Sequence, residues 1–121
     1  MYSIRTEFTF EAAHSLKLSY TSPCSRIHGH SYICGVTIES AELDENGMIC
    51  DFKVLKQIIA ERVEDRLDHR NLNDIFDATA EYMSRWIYDQ INEGLNSLGI
   101  DARCKRVELN ETAKNKAIWE E

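Results

Sequence analysis

Alternation of residue types is the feature that most constrains the fold of this chain. From Tyr2 to His14 the even positions read Tyr, Ile, Thr, Phe, Phe, Ala and His, whereas the odd positions are mostly polar. A second alternating segment runs from His28 to Glu39. Because successive side chains of a strand point to opposite faces of a sheet, both segments are predicted to be half-buried strands.

Two helices are predicted after these strands. Asp51 is a good N-cap for a helix whose apolar residues keep helical spacing until it ends near Leu67. Thr79 can cap a second helix, whose apolar stripe over residues 83–98 is predicted to be buried as far as Leu98. Gly99 then follows as a C-terminal stop.

Shorter strands complete the prediction. The turn residues at 44–47, which include Asn-Gly, predict a hairpin that returns through a short strand at Met48–Cys50. Strand character returns over Arg103–Thr112 and again near Ile118. Runs of antiparallel strands with segregated helices indicate an α+β fold, in which two helices pack on one sheet within a single domain, residues 1–121.

Composition excludes several classes of protein. The net charge of -7 disfavours nucleic acid as a partner, and no apolar stretch approaches the roughly 20 residues that span a bilayer. The first ten residues lack the apolar block of a signal peptide, and the four cysteines form no CxxC pair. We therefore expect a cytoplasmic protein with reduced thiols and no membrane partner.

Three histidines are candidate metal ligands. His14 ends the first predicted strand, and His28 and His30 begin the second on one face. If the two strands are antiparallel neighbours, the three imidazoles converge and leave a fourth position open, as in catalytic zinc sites. Imidazole favours zinc, although iron, copper and nickel also accept it. Each histidine alone would more readily be an ordinary hydrogen-bonded or exposed residue.

Four further residues are candidates for the chemistry. Cys24 precedes His28 in a loop, and a thiol beside a cation ionises more readily, which suits it to proton transfer. Asp68 and His69 are adjacent, so the carboxylate can orient the imidazole, although a simple surface pair is the alternative. Glu111 shares a strand face with apolar residues and either enters a pocket or reaches solvent at the strand end.

These residues belong to five blocks in a recognisable order: Phe10-Glu-Ala-Ala-His14, Cys24-Ser-Arg-Ile-His-Gly-His30, Leu67-Asp-His69 with Leu72-Asn73, Thr79-Ala-Glu81, and Glu111-Thr112. The order resembles that of the 6-pyruvoyltetrahydropterin synthase family, and the resemblance extends over nearly the whole chain. It implies three groups of site residues. The zinc ligands would be His14, His28 and His30, the proton-transfer triad Cys24, Asp68 and His69, and the pterin-side residues Glu111, Thr79 and Glu81. The proline usual in the family before the threonine is Ala78 here.

The resemblance also implies a fold and an assembly. The family has the tunnelling fold, in which antiparallel sheets of several subunits join into a barrel and the active sites lie between subunits. A homohexamer, formed as a dimer of trimers, is therefore expected. Lys17, Arg26 and Arg70 are candidates for contacts to a substrate triphosphate, by proximity to the motifs alone.

The spacer before the His-Gly-His motif points to one branch of the family. Three residues separate Cys24 from His28, which resembles the queuosine-pathway 6-carboxytetrahydropterin synthases, whereas pyruvoyl synthases usually have five. This resemblance implies a carbon–carbon lyase that converts 7,8-dihydroneopterin triphosphate to 6-carboxy-5,6,7,8-tetrahydropterin, acetaldehyde and triphosphate. The alternatives are a 6-pyruvoyltetrahydropterin synthase and a metal- or pterin-binding module without turnover.

Overall fold

A five-stranded sheet forms the centre of the molecule in this computed structural model, which describes residues 1–121. The strands are β1 (Tyr2–His14), β2 (His28–Ser40), β3 (Arg70–Asn71), β4 (Arg103–Asn110) and β5 (Lys116–Glu120). Their order in the sheet is β3-β1-β2-β4-β5. All neighbours are antiparallel except β3, which pairs in parallel with β1. The two long predicted strands are confirmed, and they pair with each other from Tyr2–Ser40 to His14–His28.

Helices cover one face of the sheet. α1 (Phe52–Ile59) continues through a π-helical turn (Ala60–Glu64) into α2 (Asp65–Leu67), so the first predicted helix does end at residue 67. The second predicted helix is α3 (Ala80–Ser97). No helix in the molecule has the length and apolar character needed to cross a membrane.

Both predicted N-caps are confirmed, and they explain where the helices begin. The Asp51 carboxylate accepts a hydrogen bond from the Lys53 N–H at 2.8 Å, and the Thr79 hydroxyl accepts one from the Tyr82 N–H at 3.2 Å. Each bond satisfies an N–H group that has no partner within the helix. Gly99 adopts a φ of +66°, which glycine tolerates, and it follows the end of α3 as predicted.

The core lies between the sheet and the helices. The even-numbered residues of β2 from Tyr32 to Ile38 are fully buried, as the alternation predicts. They pack with α3 residues such as Ile87 and Ile91, which are also fully buried. Burying one such side chain stabilises the fold by about 1.5–3 kcal/mol. The opposite face of the sheet is polar and includes an ion pair between Arg5 and Glu108 at 3.0 Å.

Two local predictions are wrong. Met48–Cys50 forms no strand, because Asp44 closes a turn on Met48: its N–H donates to the Met48 carbonyl at 2.8 Å, and its side chain accepts from the Met48 N–H at 3.0 Å. These local hydrogen bonds occupy the backbone N–H and carbonyl groups of Met48 that strand pairing would have used. Leu98 is 58% exposed, because α3 ends one residue earlier.

The segment between the first helix and α3 has regular structure that the sequence pattern does not predict. It contains β3, whose residues Arg70 and Asn71 pair with Ala12 and Ala13 of β1. A 3-10 turn at Leu72–Asp74 follows directly. This segment therefore lies along the end of β1 that holds His14.

Candidate metal centre and active site

Three histidines converge at one end of the β1–β2 ladder. The register places His14 directly opposite His28, with His30 on the same face two residues further along β2. One nitrogen from each ring lies within 4.8 Å of the others. The predicted convergence therefore exists within one chain, and it follows from strand pairing alone.

Hydrogen bonds orient two of the rings. His14 Nδ1 lies 2.7 Å from the Ala78 carbonyl oxygen, and His28 Nδ1 lies 2.7 Å from that of Arg26. A carbonyl can only accept, so both Nδ1 atoms carry a hydrogen, and in the neutral tautomer this leaves the Nε2 lone pair for a metal ion. This is the arrangement of a metal-bound histidine whose outer nitrogen is held by a second partner.

The donor atoms fit a metal ion. Nε2 of His14 and Nε2 of His30 are buried and have no hydrogen-bond partner in the protein. Buried polar atoms without a partner are costly, and a cation at the centre of the cluster would satisfy both. Three imidazole ligands with a fourth position open suit zinc.

Glu111 lies beside this cluster, just after β4. Its two carboxylate oxygens are each 3.8 Å from an imidazole nitrogen, one on His14 and the other on His30. Burial lowers the pKa of His30, although the Glu111 carboxylate opposes the shift. Because a lowered pKa favours the neutral imidazole, His30 is suited to metal binding near neutral pH.

Glu111 also lines a cleft of about 560 Å³. Thr79 and Glu81, from the start of α3, line it together with Asn115 from the β4–β5 connection and Lys116 from the start of β5. The structure thus brings the three residues that the resemblance assigned to the pterin side into one cleft. Asn115 and Lys116 were not anticipated, because no motif marks them and only the β4–β5 hairpin carries them there.

Cys24 lies in the loop between β1 and β2. It forms part of a 3-10 turn at Pro23–Ser25 and is exposed. Its carbonyl oxygen accepts a hydrogen bond from the Leu16 N–H at 2.8 Å, which fastens this loop to the chain just after β1. Its thiol makes no hydrogen bond with Asp68 or His69.

Asp68 and His69 lie at the outer edge of β1. One carboxylate oxygen of Asp68 accepts from the Glu11 N–H at 2.9 Å and lies 3.0 Å from His69 Nδ1. The Glu11 N–H and, next, the His69 side chain hold the pKa of Asp68 below its usual value, so the group is an ionised acceptor. The His69 side chain is 77% exposed, and its φ of +58° is a left-handed backbone conformation unusual for histidine.

The chain alone does not join the nine predicted site residues into one site. Two sets are together: the histidine ligands with Glu111, and Glu111 with Thr79 and Glu81. The Asp68–His69 pair is also formed, but it is distant from Cys24 in the sequence and shares no hydrogen bond with it. The candidates for triphosphate contacts, Lys17, Arg26 and Arg70, form no ion pair.

Comparison with known proteins agrees with this geometry. A family model described as 6-pyruvoyl tetrahydropterin synthase matches residues 3–121. A 6-carboxy-5,6,7,8-tetrahydropterin synthase of Synechocystis is 37% identical over 86% of this chain and 88% of its own length. Relatives of the same name occur in Bacillus subtilis and Aquifex aeolicus. A dihydroneopterin monophosphate aldolase of Pyrococcus furiosus is 36% identical over 84% of this chain and 82% of its own.

The fold is also that of known structures. The 6-pyruvoyl tetrahydropterin synthase of Caenorhabditis elegans superimposes with a TM-score of 0.81 at 24% identity, over 99% of this chain and 95% of that one. Such a likeness shows a shared tunnelling fold. Together with the family match over nearly the whole sequence, it establishes that the chain belongs to the 6-pyruvoyl tetrahydropterin synthase family.

Proposed function

We propose that this protein is a zinc-dependent 6-carboxy-5,6,7,8-tetrahydropterin synthase of queuosine biosynthesis. It would convert 7,8-dihydroneopterin triphosphate to 6-carboxytetrahydropterin, acetaldehyde and triphosphate in the cytoplasm. The proposal rests chiefly on one observation: Glu111 lies 3.8 Å from two of the three clustered histidines and also lines the neighbouring cleft. A ligand in that cleft would therefore have a carboxylate anchor and a metal within reach at the same time.

Glu111 would anchor the pterin ring. The 2-amino and N3 hydrogens of a pterin form a pair of adjacent donors, which a carboxylate accepts well, and charge-assisted hydrogen bonds of this kind are the strong ones. Thr79 and Glu81 line the same cleft and would add polar contacts. Zinc held by His14, His28 and His30 would act as a Lewis acid toward the side-chain hydroxyls of the substrate.

Cys24, Asp68 and His69 would move protons between the ring and the side chain. Asp68 already orients the His69 ring through the 3.0 Å contact to Nδ1, which leaves Nε2 to exchange a proton. Cys24 is exposed in the loop that leads into His28, so its thiol is accessible to a bound substrate. A catalytic group of this kind typically contributes about 100-fold or more to the rate.

The separation of Cys24 from the Asp68–His69 pair favours an assembled active site. We propose a homohexamer, a dimer of trimers, in which subunits complete each other's sites. β5 lies at one edge of the sheet, and at the other edge β1 is paired on its outer side only near residues 11–13. Such free edges are available to another subunit. Light scattering should show an oligomer, and a fully active monomer would refute this part of the proposal.

The reaction is tested by its products. Purified protein is incubated with dihydroneopterin triphosphate, and the pterin products are identified by mass. The three-residue spacer between Cys24 and His28 and the name shared by several relatives favour the 6-carboxy product. A 6-pyruvoyl product would indicate the triphosphate lyase alternative. In a parallel incubation with dihydroneopterin monophosphate, an aldolase product would place the chain with its Pyrococcus relative instead.

Two variants separate metal binding from chemistry. His28→Ala should lose the metal, measured by metal analysis of the purified protein, and full occupancy in that variant would contradict the ligand assignment. Cys24→Ala should keep the metal and pterin binding, since neither the histidines nor Glu111 is changed, while turnover falls by about 100-fold or more. Wild-type turnover in Cys24→Ala would favour a pterin-binding module or a different base.

A further inference from the structure

The segment from Asp68 to Asn73 is fastened to the end of β1 at both of its ends. At its start, the Glu11 N–H donates to the Asp68 carboxylate at 2.9 Å, and the His69 N–H donates to the Glu11 carbonyl. At its end, the Asn73 side chain binds the main chain of Ser15. β3 pairs with β1 between these two points.

Asn73 uses both ends of its side-chain amide on that one residue. Its Oδ1 accepts from the Ser15 N–H at 2.7 Å, and its Nδ2 donates to the Ser15 carbonyl at 2.8 Å. The β1–β2 ladder ends at the His14–His28 pair, so Ser15 has no partner in that ladder. The main chain directly after the His14 ligand is therefore held by Asn73.

The loop that contains Cys24 is attached to the chain next to Ser15. Leu16 follows Ser15, and its N–H donates to the Cys24 carbonyl at 2.8 Å. The loop that contains Cys24 is thus attached one residue beyond the point that Asn73 holds. Displacement of Ser15 would move both His14 and the attachment of this loop.

We infer that Asn73 is a positioning residue that couples the metal centre to the proton-transfer groups. It holds His14, the Cys24 loop and the Asp68–His69 segment of one chain in a fixed relative arrangement. The inference rests on the proposed function, because it takes the histidines to bind a metal. Loss of a group bonded directly to a metal ligand, as the Ala78 carbonyl is to His14, typically lowers metal affinity by about 10- to 100-fold. Asn73 holds the main chain beside His14 and not its ring, so we expect a loss at the lower end of that range.

The role differs from a contribution to folding alone. Asn73 is exposed and contacts Ser15 at the surface, so its hydrogen bonds are among the weaker contributors to stability. Its effect on the position of His14 is close, since the Ser15 main chain that it holds is joined to His14 by a single peptide unit. Substitution of Asn73 should therefore disturb the metal centre more than it disturbs the fold.

Cobalt(II) tests this inference without any assay of turnover. The protein is freed of metal, titrated with cobalt(II), and followed by the visible absorption that reports the coordination geometry. Asn73→Ala should raise the cobalt dissociation constant by about tenfold and alter the spectrum. Asp74→Ala is the matched control and should match the wild type, because Asp74 is an exposed neighbour whose side chain makes no hydrogen bond. Ser15→Ala should have only a small effect, since it removes the weak 3.5 Å bond from the Ser15 hydroxyl to Asn73 Oδ1 and keeps both main-chain bonds.

Asn73→Asp provides a second variant if Asn73→Ala does not fold. The carboxylate keeps an acceptor for the Ser15 N–H but removes the donor to its carbonyl, so an affinity between those of the wild type and Asn73→Ala is expected. Wild-type cobalt affinity and spectrum in the folded Asn73 variants would overturn the inference and leave the proposed function intact. Failure of the wild type to bind cobalt would overturn the metal centre and this inference together.

Discussion

Removing the Tyr32 hydroxyl should stabilise the metal-free protein. Tyr32 is fully buried two residues after His30, where its ring stacks on Phe10 with centroids 4.9 Å apart and meets the His30 ring edge-on at 5.5 Å. Its hydroxyl is buried and has no hydrogen-bond partner in the protein. Burial raises the pKa of this phenol, and Glu111 raises it further, so the hydroxyl stays protonated and its donor goes unused.

The size of the expected stabilisation follows from the hydrogen bonds to water that the Tyr32 hydroxyl loses on burial. A buried polar group without a partner costs about 1–3 kcal/mol, and Tyr32→Phe removes the group while keeping the ring contacts. The small void left by the oxygen offsets part of that gain. We therefore expect a net stabilisation of about 1 kcal/mol, which for a chain of this size raises the unfolding midpoint by about 4 °C.

Thermal and urea unfolding of the metal-free proteins measures this change. Tyr88→Phe is the matched control, because Tyr88 is only partly buried against Trp119 and its hydroxyl is not among the buried unpaired groups. It should stay within about 0.5 kcal/mol of the wild type. A loss of 1 kcal/mol or more in Tyr32→Phe would refute the reasoning, since the hydroxyl would then have a partner, such as an internal water.

Three further predictions concern pH, a helix cap and the pterin anchor. Because burial lowers the pKa of His30 below 6.5, its contribution to stability is present above that pH and declines as the pH falls through the lowered value. In urea unfolding of the metal-free protein, the free energy of unfolding should therefore decline less for His30→Asn than for the wild type at acidic pH. An equal decline in both proteins would contradict the lowered pKa of His30. Asp51→Ala removes the cap of α1 and should cost about 1 kcal/mol, whereas Asp51→Asn should cost much less, which thermal unfolding distinguishes. Glu111→Gln should weaken pterin binding by about 10- to 100-fold, measured by pterin fluorescence, and unchanged affinity would exclude Glu111 as the anchor.

The parts of the structure that the sequence predicted are those determined by neighbouring residues. Alternation defines β1 and β2, and because the two strands pair over their full length, it also brings the three histidines together. The caps at Asp51 and Thr79 were predictable for the same reason, since an N-cap bonds to an N–H two or three residues away. The histidine cluster is therefore as predictable as the strands that form it.

The parts that were missed depend on distant partners or on competing local bonds. Nothing in the residues around Arg70 and Asn71 indicates a strand, because β3 is two residues long and exists only through its pairing with β1. The predicted Met48–Cys50 strand is absent for the opposite reason, since Asp44 forms local hydrogen bonds with the backbone of Met48. The contact between Asn73 and Ser15 joins residues 58 positions apart, and no spacing rule anticipates it.

The candidate residues differ in what holds them, and this difference predicts how their variants behave. The histidine ring of His14 is fully buried in the sheet end, so its substitution changes both the site and the packing around it. Cys24 and His69 are exposed, and each has a main-chain hydrogen bond to the region of β1; the His69 ring also contacts the exposed carboxylate of Asp68. Exposed groups of this kind contribute little to stability. Cys24→Ala and His69→Asn should therefore reduce turnover while the free energy of unfolding stays within about 0.5 kcal/mol of the wild type. Asn is the replacement for His69 because it tolerates the left-handed backbone at that position. Loss of stability in step with turnover would instead place these two residues in the packed structure of the fold.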